Sequence, residues 1–197
     1  MINAIEFTHT PDITVVNVKQ YEAHYSLYVG YVNSINEITN QLQTLCKENV
    51  EEANTTNGFY RGLKRGETFA LDGVILHELY FRNIGGCNKE PKDFVKCAID
   101  KYFGCFENWK QDFIATGKAS RGWAVLFWDQ RTKRLRNISL DAHDVGPIVL
   151  GLPLLVMDVY EHAYFLQYAQ NKVAYIEAFM ENIHWDIVAQ RMKFWNL

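Results

Sequence analysis

The sequence predicts an α+β protein: an N-terminal antiparallel helical hairpin, then an α/β domain with a three-stranded antiparallel sheet. Three observations carry that expectation. Apolar residues recur at helical spacing over two long stretches, β-rich segments then cluster instead of alternating with helices, and helical periodicity returns afterwards. The helical-hairpin domain is placed at residues 1–86 and the sheet-bearing domain at 87–197.

In residues 17–46, Val18, Tyr21, Tyr28, Tyr31, Ile35, Leu42 and Leu45 follow steps of three, four and seven, which mark one long amphipathic helix. His24 falls in the same stripe. Residues 47–58 are polar and read as a loop or a frayed turn. A second helix is expected over residues 67–84, with Phe69, Gly73, Leu76, His77, Tyr80 and Ile84 on one face. Gly85-Gly86 supply the left-handed stop that commonly ends helices. Two long helices joined by a loop form an antiparallel hairpin.

Residues 85–91 read as the linker, and Pro91 suits the first turn of the next helix, which turns Phe94, Cys97, Ala98 and Tyr102 inward. A further helix is expected at 107–115, with Trp109, Phe113 and Ile114. Residues 122–128 and 134–140 form a β-hairpin around 129–133, and 152–158 is a third, buried strand. Helical segments follow at 163–169, 172–182 and 185–192.

Composition narrows the function. The 197 residues are 48% hydrophobic with a net charge of −3, which excludes disorder. The only basic cluster, residues 131–136, reads as a solvated hairpin tip, so no nucleic-acid partner is expected. The longest apolar run, 148–157, is about half of the roughly 18–20 residues a bilayer requires, so no membrane partner is expected either. Four cysteines without paired spacing, and an N-terminus unlike a secretory signal, lead to a cytoplasmic expectation. In that setting the glycosylation-type matches at Asn54 and Asn137 are chance. No phosphate loop, nucleophile elbow or HExxH helix is present.

Three of the six histidines sit oddly. His24 and His77 lie on the apolar stripes of the hairpin helices, and His162 lies four residues beyond Asp158, at the end of the most hydrophobic strand. A carboxylate buried there requires a partner, and a metal ion would satisfy it together with the three imidazoles. Each residue also has an ordinary reading. A lone histidine on an apolar face is more often a hydrogen-bonded core residue, Asp158 could cap a helix, and His162 could be a turn residue. His9 reads as solvated, His184 as a helix-start residue, and the cysteines as core or surface thiols. Trp109, Trp123 and Trp128 read as packing residues, Trp123 also as a pocket wall.

The run Asp158-Val159-Tyr160-Glu161-His162-Ala163-Tyr164 resembles the D-x-W-E-H-A-Y signature of the iron and manganese superoxide dismutases. Leu166-Gln167-Tyr168, Tyr175-Ile176-Glu177-Ala178-Phe179 and Ile183-His184-Trp185 resemble the helices that follow in that family. Gly122-Trp123-Ala124-Val125-Leu126 is similar to its G-W-A-W-L strand, Leu76-His77-Glu78-Leu79-Tyr80-Phe81 to its second-ligand helix, and Tyr31-Val32-Asn33-Ser34-Ile35-Asn36 to its Y-V-N-x-L-N piece. The resemblance covers roughly residues 18–195 in the same order.

It implies one iron or manganese ion per subunit, held between the two domains by His24, His77, Asp158 and His162, with superoxide disproportionated to dioxygen and hydrogen peroxide. It assigns catalytic roles to Tyr31 and His143 near a solvent site. His143 stands where many manganese members bring a glutamine, and Gly73 stands where iron members place one, leaving room for His143. It also implies a homodimer in which Glu161 reaches the partner's ligand histidine, here His162, and it makes Lys172 the candidate positive charge near the substrate mouth.

The chain departs from the family pattern at several places. His24 precedes Tyr31 by seven residues where common members have eight, with Ala23 at the eighth; seven residues is still nearly two helical turns. Tyr160 replaces a pocket tryptophan. The usual cross-dimer His–Tyr pair is replaced by Leu27 or Tyr28 and Phe165. The alternatives are a non-catalytic binding or scaffold protein that keeps the fold, and another metal-dependent redox activity suggested by Tyr160 and His143.

Overall fold

The computed structural model describes residues 1–88 and 90–197; Lys89, inside the expected linker, lies outside them. Helix α1 (Val18–Gln43) and helix α3 (Phe59–Asn83) run against one another, with the short α2 (Lys47–Glu51) between them. The Asn17 side chain starts α1 by accepting the Gln20 N–H, one of the amides a helix leaves unpaired at its N-terminus. The buried face of α1 is Gln20, Tyr21, His24, Tyr28, Val32 and Ile35. Val18, from the expected stripe, is exposed instead.

One expectation fails in the hairpin, the start of its second helix. Residues 47–58 contain α2, and α3 begins at Phe59, eight residues before the expected start at 67. Gly62 and Gly66 interrupt the apolar pattern there. At Gly66 a Cβ would stand 3.1 Å from Ile38 Cδ1, so that glycine lets the two helices approach closely and does not end the second. The stop at the other end is as expected, with Gly85 at φ 90° after the cap residue Ile84.

Helix α4 (Asp93–Phe103) starts two residues beyond Pro91. Val95 and Ile99 are its buried residues, Phe94, Ala98 and Tyr102 flank them half-buried, and Cys97 is exposed. Cys97 therefore does not face inward: the buried stripe lies one residue over from the expected one. Helix α5 (Phe106–Ala119) buries Trp109, Phe113 and Gly117.

Strands β1 (Trp123–Asp129), β2 (Arg134–Leu140) and β3 (Gly151–Asp158) form an antiparallel sheet in the order β2-β1-β3. Trp123 pairs with Leu140 on one side and Asp158 on the other, which brings the end of the third strand to the start of the first. The register shifts between Leu126 and Phe127, opposite Leu155 and Pro153. An edge strand tolerates such a proline, because no neighbour requires its missing N–H. Helices α3 and α8 (Trp185–Phe194) pack on β3, and α5 packs on β1 and β2, so the central strand is buried almost throughout.

The expected helix over 163–169 is instead a 3-10 turn (Glu161–Ala163) followed by a short α6 (Phe165–Tyr168). Tyr164, at φ −143°, breaks the two apart, and the fully buried Gln20 holds the break. Its Nε2 donates to His162 O at 2.6 Å and its Oε1 accepts from Leu166 N at 2.9 Å. Helix α7 (Lys172–Met180) follows, capped by Asn171.

Two polar side chains, buried Asn182 and half-buried Arg191, tie the ends of these elements together. Asn182 Oδ1 accepts from the N–H groups of Thr14, Val15 and Gly85, and its Nδ2 donates to Asp12 O at 2.8 Å. Arg191 on α8 donates to Asn83 Oδ1, Leu154 O and Leu79 O at 2.8–3.0 Å. Burial holds its guanidinium pKa down at about 10.

Candidate metal centre

The residues singled out in the sequence come from four separate elements. His24 lies on α1, His77 on α3, Asp158 at the last position of β3, and His162 in the 3-10 turn. One nitrogen from each ring and a carboxylate oxygen of Asp158 lie within 4.8 Å of one another. Asp158 Oδ2 is 3.0 Å from His24 Nε2, 3.2 Å from His162 Nε2 and 3.6 Å from His77 Nε2. Its Oδ1 is turned away and held by the Tyr160 N–H at 2.9 Å, while Tyr175 Oη donates to its backbone carbonyl. The seven-residue step leaves α1 unbroken and still puts His24 and Tyr31 on the side facing this cluster.

The His77 tautomer follows from its surroundings. Nδ1 lies 2.6 Å from Gly73 O, a pure acceptor, so Nδ1 carries the proton and Nε2 carries a lone pair. That Nε2 is buried and has no hydrogen-bond partner. A buried polar atom left unpaired costs about 1–3 kcal/mol. An aimed lone pair of this kind suits a cation, and three imidazoles with one carboxylate and no thiolate suit iron or manganese.

Burial sets the protonation states. It lowers the His24 pKa against the pull of Asp158, and it lowers His77 to about 3, assisted by the charge of His24. For His162 burial acts downward but Asp158 outweighs it, and the pKa is raised. Burial alone would raise Asp158; its charge interaction and hydrogen bond with His162, together with those from His24, overcome that and hold it well below the carboxylate range.

A second layer stands beside the cluster. Trp123 Nε1 donates to His143 Nδ1 at 3.0 Å, and His143 Nε2 lies 2.9 Å from Tyr31 Oη. Burial lowers His143 to about 4 and, with the charge of Asp158, raises Tyr31. A Cβ at Gly73 would stand 3.0 Å from Tyr31 Cδ1 and 3.4 Å from His143 Cδ2, so the missing side chain makes the room these rings occupy. Tyr160 stacks on His162 with ring centroids 5.0 Å apart, and burial with Asp158 raises its hydroxyl to about 12. Phe69 lies against His143 at 4.5 Å and is 36% exposed, which places it where the cluster meets solvent.

The remaining expectations divide. Lys172 Nζ donates to Ser120 O at 2.6 Å, and burial lowers its pKa against the opposing pull of Asp158. It stands within the field of Asp158 with its ammonium fixed to backbone. Glu161 is exposed. Tyr28 is fully buried, its Oη accepting from Ile5 N and donating to Glu78, so Leu27 is the outward member of that pair of positions. Leu27 and Phe165 are 41% and 46% exposed. His9 is half-buried and bonded to Val16 O at 2.8 Å, so it is not a solvated residue. All four cysteines are exposed.

Sequence reasoning missed Gln20, the polar bond of Trp123, and Phe69 as part of the opening. Gln20 carried a signal: a polar residue one turn ahead of His24 on a stripe otherwise apolar or aromatic.

Comparison with known proteins agrees with this centre. Residues 91–191 match the family model described as iron/manganese superoxide dismutases, C-terminal domain. The chain is 40% identical over 174 residues to a protein named superoxide dismutase [Fe] from Aquifex aeolicus (strain VF5), covering 88% of this chain and 80% of that one. It is 36% identical to a superoxide dismutase [Fe] from Cupriavidus metallidurans, over 91% and 89% of the two chains. A superoxide dismutase [Mn] 1 from Halobacterium salinarum is 32% identical over 86% of this chain and 82% of its own. From its fold, its four converging donors and these relatives, the chain belongs to the iron/manganese superoxide dismutase family.

Proposed function

We propose that this protein is a superoxide dismutase that uses iron or manganese, one ion per subunit, held by His24, His77, Asp158 and His162. The observation that carries the reading is the buried, unpartnered Nε2 of His77, aimed at the same Asp158 oxygen that the other two imidazoles face. A redox-active ion there supplies one-electron exchange with superoxide, oxidising one molecule to dioxygen and reducing another, with two protons, to hydrogen peroxide.

The chain's own residues supply the rest. Burial favours the neutral forms of His24 and His77, and His77 presents a free Nε2 lone pair to the cluster. The Tyr160 N–H fixes the carboxylate so that a single oxygen points inward. Tyr31 retains its hydroxyl proton at neutral pH and presents it beside the cluster. Phe69 and Tyr160 stand against His143 at centroid distances of 4.5 and 5.3 Å and wall that side of the cluster. An anionic substrate approaching a chain of net charge −3 benefits from a fixed local cation, the role proposed for Lys172.

The two domains, 1–86 and 87–197, each contribute two donors. The proposed assembly is a homodimer in the cytoplasm, with Glu161 reaching the partner's ligand histidine and the exposed Leu27 and Phe165 covered at the interface. Among the described residues no helix is long and apolar enough to cross a membrane. The non-catalytic alternative finds no support, because all four donors are present and converge.

The test is to strip the purified protein, load it separately with iron and manganese, and follow superoxide consumption. Activity well above free metal with at least one ion is expected; none with either would overturn the reading.

A further inference from the structure

We propose that Trp123 locks His143 in one tautomer, so that His143 serves as a fixed hydrogen-bond donor to Tyr31 and not as an acid, a base or a proton relay. The proposal deepens the functional reading above and rests on it for its catalytic consequence, though not for its geometry.

The argument follows the direction of each hydrogen bond. An indole N–H can only donate. Trp123 Nε1 lies 3.0 Å from His143 Nδ1 in a buried setting, so Nδ1 must present a lone pair. The ring proton of a neutral imidazole then sits on Nε2, which points at Tyr31 Oη 2.9 Å away. Tyr31 therefore accepts from His143 and must send its own proton elsewhere. Among the described residues no protein acceptor receives it, and the ring stands 5.3 Å from that of His77, beside the metal donors. The result is a one-way series: Trp123 N–H to His143, His143 N–H to Tyr31, Tyr31 O–H into the site.

The same geometry closes the imidazolium form and the proton relay. Either would put a second N–H on Nδ1, opposite the indole N–H, so two donors would face each other without an acceptor. The ring cannot turn out of this position easily, because Phe69, Tyr160 and Tyr31 surround it at centroid distances of 4.5, 5.3 and 4.8 Å. A glutamine in this place offers the same two functions, an oxygen for Trp123 and an N–H for Tyr31. A leucine offers neither.

The test reads the tautomer directly. Nitrogen NMR of the metal-free protein with 15N-labelled histidine distinguishes the two neutral tautomers, and the H143Q spectrum identifies the His143 signals by their loss. A single Nε2–H form is expected in the wild type, with both tautomers appearing in Trp123→Phe. An Nδ1–H form or a mixture in the wild type would overturn the proposal, whether or not Trp123→Phe folds. In metal-loaded protein, His143→Leu should lose about 10–100-fold in turnover, and His143→Gln should recover a large part of that loss. A glutamine variant no better than the leucine variant would also overturn it. A single Nε2–H tautomer in a protein inert toward superoxide would uphold the lock and sink the enzymatic reading instead.

Discussion

Asn182 and Asp158 are both buried polar side chains at which distant parts of the chain meet, and their surroundings differ. Asn182 directs both ends of its amide to backbone, with Oδ1 collecting three N–H groups and Nδ2 donating to a carbonyl. Arg191 likewise reaches two carbonyls and the oxygen of Asn83. Around Asp158 the groups face one another instead: three imidazole nitrogens crowd one carboxylate oxygen, and one of them has no partner at all. The seam converts buried polarity into cohesion. The centre leaves one nitrogen, His77 Nε2, out of that cohesion, and its free lone pair is what an ion can take. Polar burial here thus serves stability in one place and binding in another.

Removing His77 should separate the two most sharply. In His77→Leu, metal content should fall to near zero and activity by orders of magnitude, while the metal-free protein keeps or gains stability, since an unpaired buried nitrogen is replaced by an apolar group. Metal analysis with denaturant unfolding in chelator checks it; a large loss of metal-free stability would contradict the contrast. Asn182→Ala should behave in the opposite way, costing about 3 kcal/mol from several lost hydrogen bonds and leaving metal stoichiometry intact.

Acid should find the centre before the seam. The folded-state pKa of His77 is lowered to about 3 and that of His143 to about 4, below the ordinary value near 6.5. Their neutral forms therefore contribute stability that is complete above about pH 6.5 and is lost as pH falls toward those lowered values. His162, whose pKa is raised, acts in the opposite sense and offsets part of this. Unfolding midpoints of the metal-free protein should decline between about pH 6.5 and 4, and less steeply in His77→Leu. The smallest effect belongs to Gly73→Ala. Alanine favours the helix by up to about 1 kcal/mol, but its methyl must displace Tyr31 by a few tenths of an ångström. Stability should stay nearly unchanged while turnover drops, a difference that melting and activity measured together will show.

The hairpin, the strands and the residues proposed as metal donors were legible because each leaves a periodic or chemical mark: aromatic steps along α1, glycines after Asn83, and an aspartate ending a hydrophobic strand. Their convergence was legible only through the family signature, since periodicity cannot say that residues 24 and 158 meet. What stayed hidden depends on tertiary contact. Gly66 reads as a helix breaker until Ile38 is seen beside it, and the expected helix over 163–169 reads as continuous until Gln20 is seen holding it open. Cys97 was misplaced because α4 offers two neighbouring stripes, and only packing chooses Val95 and Ile99.

Asn182 bonds to backbone at positions 12, 14 and 15, so the segment before α1 is fastened to the loop between α7 and α8. During synthesis the hairpin leaves the ribosome first, carrying two of the four donors. Its N-terminal arm finds the Asn182 side chain only after the sheet and α7 have been made. Asp158 ends the last strand of the sheet and His162 follows it, so the hairpin by itself cannot assemble the four-residue cluster.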